Sequence, residues 1–379
     1  MTNESPQNSQ TPALRIEGSR LFTQWLLNEK LSIAFTTYQA SKICFVGLKS
    51  DGNLHVFERT FDRCMGIALE KKTLWLASRY QLWRFTNVLN PTQVHNNHDA
   101  LYVPLTGHTT GDVDIHDIAI LPDGRPVFVV TLFNCVATVG VDESFIPIWK
   151  PPFISSLVAE DRCHLNGLAL DEGRPRYVTM VSRTDVVEGW REHRTEGGVV
   201  IDMWNDKVVC EGLSMPHSPR VHRGKLWLLN AGTGEFGFVD MNRGRFEPVA
   251  FCPGFLRGLS LIDNFALVGM SKPRENRSFN DLPYNIRLNQ EQVAPRCGIQ
   301  VIDFNTGAAT HTLTIEGVVD ELYDVIALPG VTRPMALGFR TSEIQHYLKV
   351  GEMSPGLGLL SGKGTMSPPA VSPKKRSRK

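Results

Sequence analysis

The sequence predicts an all-β fold, a six-bladed β-propeller, and three observations lead to this prediction. Short β-type runs separated by turn residues fill most of the chain, as in sandwiches, barrels and propellers. One motif recurs six times at intervals of 40 to 66 residues, which is the spacing of propeller blades. The strand-like stretch 32–61 has no such motif before it and is expected to complete the last blade.

The two ends of the chain differ in composition from its body. Residues 1–13 are polar, and the low-complexity tail 351–379 holds six basic residues and one acidic residue. Both ends are predicted to be disordered, which leaves 14–350 as a single propeller domain. A short helix is predicted over Ser19–Lys30, because Phe22, Trp25 and Leu26 follow one helical face.

Strands and turns alternate after this helix. The β-type runs include 32–38, 43–48, 54–61, 73–78, 126–133, 225–230 and 266–270. Turn sequences lie between them at 50–53, 122–125, 172–175 and 222–225. Two longer segments, 182–198 and 271–295, interrupt the pattern and are predicted to be loops over one face of the propeller.

The six repeats share a small or acidic residue followed by an aliphatic triplet. They are CMGIAL (64–69), IHDIAI (115–120), LNGLAL (165–170), PHSPRV (216–221), LRGLSL (256–261) and LYDVIA (322–327). The fourth fits least well, because Pro219 and Arg220 interrupt its triplet. The last repeat has only two strand-like runs, near 323–329 and 335–339. Joining it to 32–61 would close the ring and remove free sheet edges.

Each motif is predicted to form the innermost strand of a blade, so equivalent residues should form rings around the central channel. The residues just before the small position are Met65, His116, Asn166, His217, Arg257 and Tyr323. Two residues earlier, and on the same strand face by alternation, the chain has Arg63, Asp114, His164, Met215, Phe255 and Glu321.

The histidines in these rings are candidate metal ligands. Imidazoles that converge with carboxylate and amide oxygens suit a metal ion, and the predicted ligands are His116, His164 and His217 with Asp114 and Asn166. Iron or copper suits so many imidazoles, with zinc and calcium as alternatives. Arg220, Arg257 and Tyr323 are predicted to act on the substrate, with the two guanidinium groups positioning an acidic or peptide-like ligand. A polar but inert channel is the alternative.

Composition excludes several classes of protein. The chain has 40 basic and 39 acidic residues, and no run of 18 apolar residues is present. We therefore expect neither nucleic acid nor a membrane as a partner, and a small molecule or peptide instead. The seven cysteines include no C-x-x-C pair, and no signal peptide is visible, which favours the cytoplasm. The oligomeric state stays open.

Several blocks of the sequence resemble a bacterial family of uncharacterised proteins, some of which carry tetratricopeptide repeats. The likeness covers about residues 20–340 and rests on FTQWLLNEKLSIAFTTYQASKICFVGL, FDRCMGIAL, DVDIHDIAI, CHLNGLAL, MPHSPR, LWLLNAGTGEFGFVD and PGFLRGLSL. It implies a propeller-like fold and a bacterial origin, and it brings no established activity.

A looser resemblance is to six-bladed lactonases of the gluconolactonase type, which hold a divalent ion with Glu, Asn and Asp. Asn166 matches that style, whereas His116 and His217 do not. The sequence therefore favours a metal-dependent oxidoreductase that uses iron or copper and dioxygen on an acidic or peptide-like substrate. A non-catalytic binding module and a calcium-dependent lactonase-like hydrolase are the alternatives.

Overall fold

A computed structural model describes residues 14–273 and 281–351 of the 379-residue chain. The first elements are β1 (Arg15–Gly18), α1 (Phe22–Asn28), β2 (Leu31–Thr37), β3 (Lys42–Leu48) and β4 (Leu54–Thr60). The predicted N-terminal helix is thus confirmed over a shorter range. Its buried face is the predicted one, formed by Phe22, Trp25 and Leu26.

Five antiparallel sheets follow, which we number as the first to fifth blades. The first blade has β5 (Ile67–Glu70), β6 (Thr73–Ala77), β7 (Gln81–Asn87) and β8 (Ala100–Thr109). The second has β9 (Ile115–Ile120), β10 (Pro126–Val130), β11 (Cys135–Thr138) and β12 (Ile146–Trp149). The third has β13 (Leu165–Asp171), β14 (Arg174–Met180), β15 (Gly198–Asp202) and β16 (Lys207–Leu213).

The fourth blade has β17 (Pro216–His222), β18 (Lys225–Asn230), β19 (Glu235–Asp240) and β20 (Arg245–Phe251). The fifth has β21 (Phe255–Ile262), β22 (Phe265–Ser271), β23 (Gly298–Asp303) and β24 (Ala309–Glu316), with helix α2 (Pro283–Glu291) between β22 and β23. The chain continues through β25 (Asp324–Pro329) and β26 (Pro334–Ala336), and 348–351 have no regular secondary structure.

The sixth blade joins the two ends of the chain. Its strand order is β25-β2-β3-β4, with Leu31 opposite Pro329 and Thr36 opposite Asp324. This is the predicted closure, and the prediction of an all-β six-bladed propeller is confirmed. Six buried apolar clusters fill the spaces between neighbouring blades, so each sheet is covered on both faces.

Some local predictions were wrong. The segment expected as the second strand of the last blade is β26, and it pairs in parallel with β8 of the first blade instead. The insertion 271–295 is not all loop, because α2 forms within it and buries Tyr284 and Leu288. The insertion also includes 274–280, which lie outside the described residues, as do 1–13 and 352–379, so the predicted disorder of both ends stays a prediction. No helix in the described part is long and apolar enough to cross a bilayer.

The aligned small positions form the hub of the propeller, where side-chain bonds link neighbouring blades. Three of these positions carry an oxygen that accepts a hydrogen bond from a backbone N–H of the next blade. The bonds are Leu168 N to Asp117 Oδ2 (3.0 Å), Gly258 N to Ser218 Oγ (3.2 Å) and Ile67 N to Asp324 Oδ2 (3.0 Å). The other three positions, which alternate with these, are Gly66, Gly167 and Gly258.

The glycine positions allow the blades to approach closely. Gly258 has a φ of +78°, and a Cβ atom there would lie 2.6 Å from the backbone nitrogen of Val325 in the sixth blade. A Cβ at Gly167 would lie 2.3 Å from Pro219 Cδ of the fourth blade. The hub therefore has no room for a side chain at these positions.

We expect Gly258→Ala to destabilise the fold more than Gly52→Ala, which serves as its control. Both glycines have positive φ, but a Cβ at Gly52 has no neighbour within 4 Å. Each substitution costs roughly 1–2 kcal/mol for the left-handed backbone, and Gly258→Ala adds about 1–3 kcal/mol for overpacking. Thermal and denaturant unfolding of the two variants would measure the difference. Equal stability would show that the hub is not tightly packed.

Candidate functional site

The inner strands carry several of the predicted site residues into the hub. His116 lies on β9, His217 on β17 and Arg257 on β21, and Tyr323 directly precedes β25. Their exposed fractions are 7, 3, 8 and 4%. The rings of His116 and Tyr323 have centroids 5.6 Å apart, and Arg257 Cζ lies 4.5 Å from the Tyr323 centroid. The structure therefore brings side chains from different blades into one buried cluster.

The second set of aligned positions adopts a turn conformation in four of the six repeats. Arg63, Asp114, His164 and Met215 have φ values of 51°, 60°, 51° and 46°. Strand alternation, which predicted one shared face for both sets, does not hold at these residues. A left-handed L-residue costs roughly 1–2 kcal/mol, and here the turn still brings His164 to His116, with ring centroids 4.9 Å apart at 83°.

His116 is held as a neutral imidazole with a fixed tautomer. Its Nδ1 lies 2.8 Å from Thr131 Oγ1 and 3.1 Å from the carbonyl oxygen of Asp114. The Thr131 hydroxyl donates to Leu165 O, so it must accept from His116, and Nδ1 carries the proton. Burial, with the charges of His164 and Arg257, lowers the pKa of His116 well below its usual value. Nε2 therefore carries the lone pair, which faces Arg257 Nη2 at 3.5 Å.

His164 forms a dyad with a carboxylate that sequence reasoning did not single out. Its Nδ1 lies 2.8 Å from Asp161 Oδ2, which also accepts a hydrogen bond from Trp190 Nε1 at 3.0 Å. The indole of Trp190 stacks on the His164 ring with centroids 4.2 Å apart. Nδ1 of His164 therefore donates to the carboxylate, and Nε2 is the nitrogen able to take a proton.

Trp190 comes from the segment 182–198 that was predicted to be a loop over one face. That segment contains a 3₁₀ turn at Gly189–His193, and Trp190 is its buried residue. Asp161 was missed because it lies outside the repeat motif. Its position three residues before His164, at the point where the chain enters the inner strand, was the available signal.

His217 presents a nitrogen that has no partner. Its Nδ1 lies 2.8 Å from the carbonyl oxygen of Met215 and donates to it. Nε2 is buried without a hydrogen-bond partner among the described residues. Burial, followed by the positive charge of Arg257, lowers the pKa of His217 well below its usual value. His217 is therefore a second neutral imidazole with an available Nε2 lone pair.

Arg257 is a buried cation without a counter-ion. Its guanidinium packs over the Tyr323 ring, and Nη2 lies 3.5 Å from His116 Nε2. It makes no ion pair with a carboxylate in the described part of the chain, and its Nε is buried without a partner. The hydroxyl of Tyr323 is likewise buried and unpartnered, and burial raises its pKa well above its usual value.

The two carboxylates at the second set of aligned positions, those of Asp114 and Glu321, contact other groups. Asp114 Oδ1 lies 3.5 Å from Arg63 Nη2, and burial raises the pKa of Asp114. Glu321 accepts hydrogen bonds from the backbone amides of Tyr38 and Gln39 at 3.0 and 2.8 Å. Neither neutralises Arg257 by direct contact.

Two other predicted residues serve the packing of the hub. Asn166 Oδ1 accepts a hydrogen bond from Thr179 Oγ1 at 2.8 Å. Arg220 binds both oxygens of Asp117, at 2.8 and 3.1 Å, and its remaining donors reach the carbonyl oxygens of Leu168, Pro219 and Leu259. We therefore assign Arg220 a structural role between blades, and this geometry does not support the predicted contact with a substrate.

The predicted metal ligands do not form a metal site as arranged. Within residues 14–273 and 281–351, no group of three or more His, Cys, Asp or Glu side chains is placed to hold an ion. The available Nε2 atoms of the imidazoles are suitable in type. However, Arg257 places a positive charge 3.5 Å from His116 Nε2, where it would repel a cation. These residues do not fit a metal, and we derive no chemistry through one.

Comparison with known proteins identifies the family. Residues 20–337 match the model of a family described as a domain of unknown function (DUF4915). The chain belongs to this family. The match confirms the resemblance to an uncharacterised propeller family that the sequence blocks indicated. None of the curated proteins compared with the chain gives a significant match.

Solved structures support the fold. The chain is similar to one in a crystal structure of a nidogen/laminin complex, with 11% identity and a TM-score of 0.50 over 79% of this chain and 99% of that one. Weaker likenesses are to a protein of unknown function from Bacteroides caccae (11% identity, TM-score 0.46, 79% and 98% covered) and to a catalytically inactive virginiamycin B lyase from Staphylococcus aureus with quinupristin (10%, 0.39, 80% and 99%). At such low identity, the comparisons concern the fold alone.

We expect His116 and His217 to stay neutral, with the proton on Nδ1, through the range centred at about pH 6.5 in which an ordinary histidine becomes protonated. Burial and the charge of Arg257 oppose protonation of both rings. Nitrogen-15 spectra of histidine-labelled protein would report the tautomers, with His116→Gln and His217→Gln to assign the signals. A proton appearing on Nε2 of either ring within this range would contradict the geometry described above.

Proposed function

We propose that the protein is an enzyme that binds a small carboxylate-bearing substrate at the hub and moves a proton with the imidazole of His164. The observation that carries this proposal is the buried, unpaired guanidinium of Arg257. Burying a charge without compensation costs roughly several kcal/mol. An anionic ligand would supply the missing compensation.

A carboxylate is the anion that best matches the donors around Arg257. A guanidinium offers a planar fork of N–H donors that fits two carboxylate oxygens. The hydroxyl of Tyr323 is a further donor without a partner, on the ring over which the guanidinium packs at 4.5 Å. Together these groups could hold one carboxylate.

The dyad of His164 and Asp161 is suited to general base catalysis. Asp161 fixes the ring orientation through Nδ1 and would stabilise the imidazolium after Nε2 takes a proton. The neutral His116 stands beside it with its own Nε2 lone pair. A carboxylate held by Arg257 would place the neighbouring carbon, or a water bound there, near this base. We therefore favour proton abstraction next to a carboxylate as the reaction class.

Metal-dependent oxidation, which the sequence favoured, has one observation in its support. Each of the three imidazoles uses Nδ1 as a donor to a protein oxygen, which is the arrangement found in histidines that ligate through Nε2. The guanidinium beside His116 opposes it. Metal analysis of protein purified without chelators distinguishes metal-dependent oxidation from proton abstraction, because only the oxidation needs a bound ion for activity.

A binding module without chemistry is the other candidate from the sequence. In that prediction the channel is inert and the segments 182–198 and 271–295 meet a partner; if a module bound a ligand at Arg257 instead, it would need no base at His164 and the ligand would leave unchanged. Turnover is thus the measurement that distinguishes it from the enzyme. Calcium-dependent lactone hydrolysis has less support, because Asn166 Oδ1 and Asp114 already contact Thr179 and Arg63.

We expect Arg257→Gln to weaken binding of small carboxylates at least about tenfold, since a charge-assisted bidentate contact contributes on the order of 1.5–3 kcal/mol. A panel of mono- and dicarboxylates, hydroxy acids and N-acyl amino acids, screened by thermal shift and quantified by calorimetry, would measure it. Arg125→Gln is the control, because Arg125 is an exposed arginine paired with Asp123. Equal affinity of wild type and Arg257→Gln would contradict the anion site.

We expect His164→Gln to abolish turnover of a carboxylate from this panel while the ligand still binds. Loss of a general base lowers rates by roughly 10²–10⁴-fold, and Asp161→Asn should give a smaller loss because the ring persists. Mass spectrometry of the panel after incubation would detect the conversion. His108→Gln is the control, because this half-buried histidine lies on the outer strand β8 and contacts the carbonyl oxygen of Ser144. Ligands that bind at Arg257 and are never converted would establish the binding module instead.

A further inference from the structure

A pair of histidines lies at the outer strands β4 and β8, where the propeller closes. His55 is on β4 of the sixth blade, and His98 precedes β8 of the first blade. Their Nε2 atoms are 3.0 Å apart, and the ring centroids are 5.0 Å apart at 55°. The two imidazoles therefore point at each other across the junction between the last and the first blade.

The segment that precedes β26 and links the two blades lies beside the pair. Asp99, next to His98, accepts hydrogen bonds from the backbone amides of Thr332 and Arg333 at 2.7 and 2.8 Å. The Arg333 side chain donates to the carbonyl oxygen of Leu48, at the end of β3. The loop that carries His98 is thus tied to the chain that enters β26, and the pair is held between ordered elements of both blades.

Two neutral imidazole nitrogens at this distance must share either a proton or a metal ion. A transition metal binds imidazole nitrogen at roughly 2.0–2.1 Å. With the two nitrogens 3.0 Å apart, the angle at the metal is then roughly 91–97°. That is the angle between adjacent ligands in square-planar or octahedral coordination. A tetrahedral ion would need the nitrogens about 3.3–3.4 Å apart.

The protonation of the pair suits either arrangement. Burial, followed by the charge of His98, lowers the pKa of His55 to about 4, and burial lowers that of His98. Neither ring is therefore protonated twice at neutral pH. His98 Nδ1 is buried, and hydrogen bonding to the backbone of Asn96 and His95 partly opposes the effect of burial on the pKa of His98.

We propose that His55 and His98 together bind Cu²⁺ or Ni²⁺ through their Nε2 atoms, and that the ion clamps the first blade to the sixth. The adjacent-ligand angle favours these tetragonal ions over tetrahedral Zn²⁺. Water would complete the coordination, because the described residues supply no group of three metal-binding side chains. The charges of Arg333 and Lys49, which lower the pKa of His55, oppose every cation, so the ion must be one that binds imidazole strongly.

The test is a metal titration of the full chain, freed of its purification tag and stripped with a chelator. We expect one equivalent of Cu²⁺ or Ni²⁺ to bind at least tenfold more tightly than Zn²⁺ by calorimetry. His55→Gln and His98→Gln should each weaken it at least tenfold, whereas His108→Gln and the hub variant His116→Gln should not. The Cu²⁺ electron paramagnetic resonance spectrum should show two equatorial nitrogens.

A thermal readout guards against variants that are simply misfolded. Because the ion would link two blades only in the folded chain, saturating Cu²⁺ should raise the melting temperature of wild type and not that of His55→Gln or His98→Gln. Absence of stoichiometric binding by wild type would overturn the proposal and leave an N–H···N hydrogen bond. Binding that survives both single variants, or that is lost in His116→Gln, would also overturn it.

Discussion

Closure of the ring is the constraint on which the rest of this structure depends. β25 pairs with β2 from the other end of the chain, Thr36 opposite Asp324, and such a long-range contact carries a large loop-closure entropy. In return, every blade gains two neighbours, and an apolar cluster fills each of the six spaces between them. A closed ring also fixes its hub from all sides, so the inner strands cannot separate to relieve strain or to hydrate a buried charge.

This rigidity explains how the hub can keep Arg257 where it is. An unpaired guanidinium among neutral imidazoles is unfavourable, and in an open sheet the strand would shift until the charge reached water. Here β21 is held by the fourth blade, through Ser218 Oγ and the amide of Gly258, and by close contact of Gly258 with Val325. The six clusters stabilise the fold, and that stability offsets the cost of the buried charge at the hub.

The repeat motif was enough to predict the blades, because six aliphatic triplets must pack alike to close a ring. It also predicted that His116, His217 and Arg257 would meet at the hub. It could not predict the turn at Asp114 and His164, since strand alternation says nothing about a left-handed residue at the strand entrance. Asp161 and Trp190 come from connections outside the motif, and α2 and β26 depend on tertiary contacts that no local pattern encodes.

On each inner strand, the small position that links neighbouring blades directly follows a residue whose type varies from blade to blade. At the small position, glycine alternates with Asp117, Ser218 and Asp324. Close backbone packing therefore alternates with side-chain oxygens that accept hydrogen bonds from backbone amides, in an approximate threefold pattern around the ring. The side chain of the residue immediately before it makes none of these three hydrogen bonds between blades. Five residue types occupy these six places: two histidines, an arginine, a tyrosine, an asparagine and a methionine. Because the side-chain bonds between blades are made at one position and not at the preceding one, a nearly symmetric ring of strands carries an asymmetric set of charges and lone pairs at its hub.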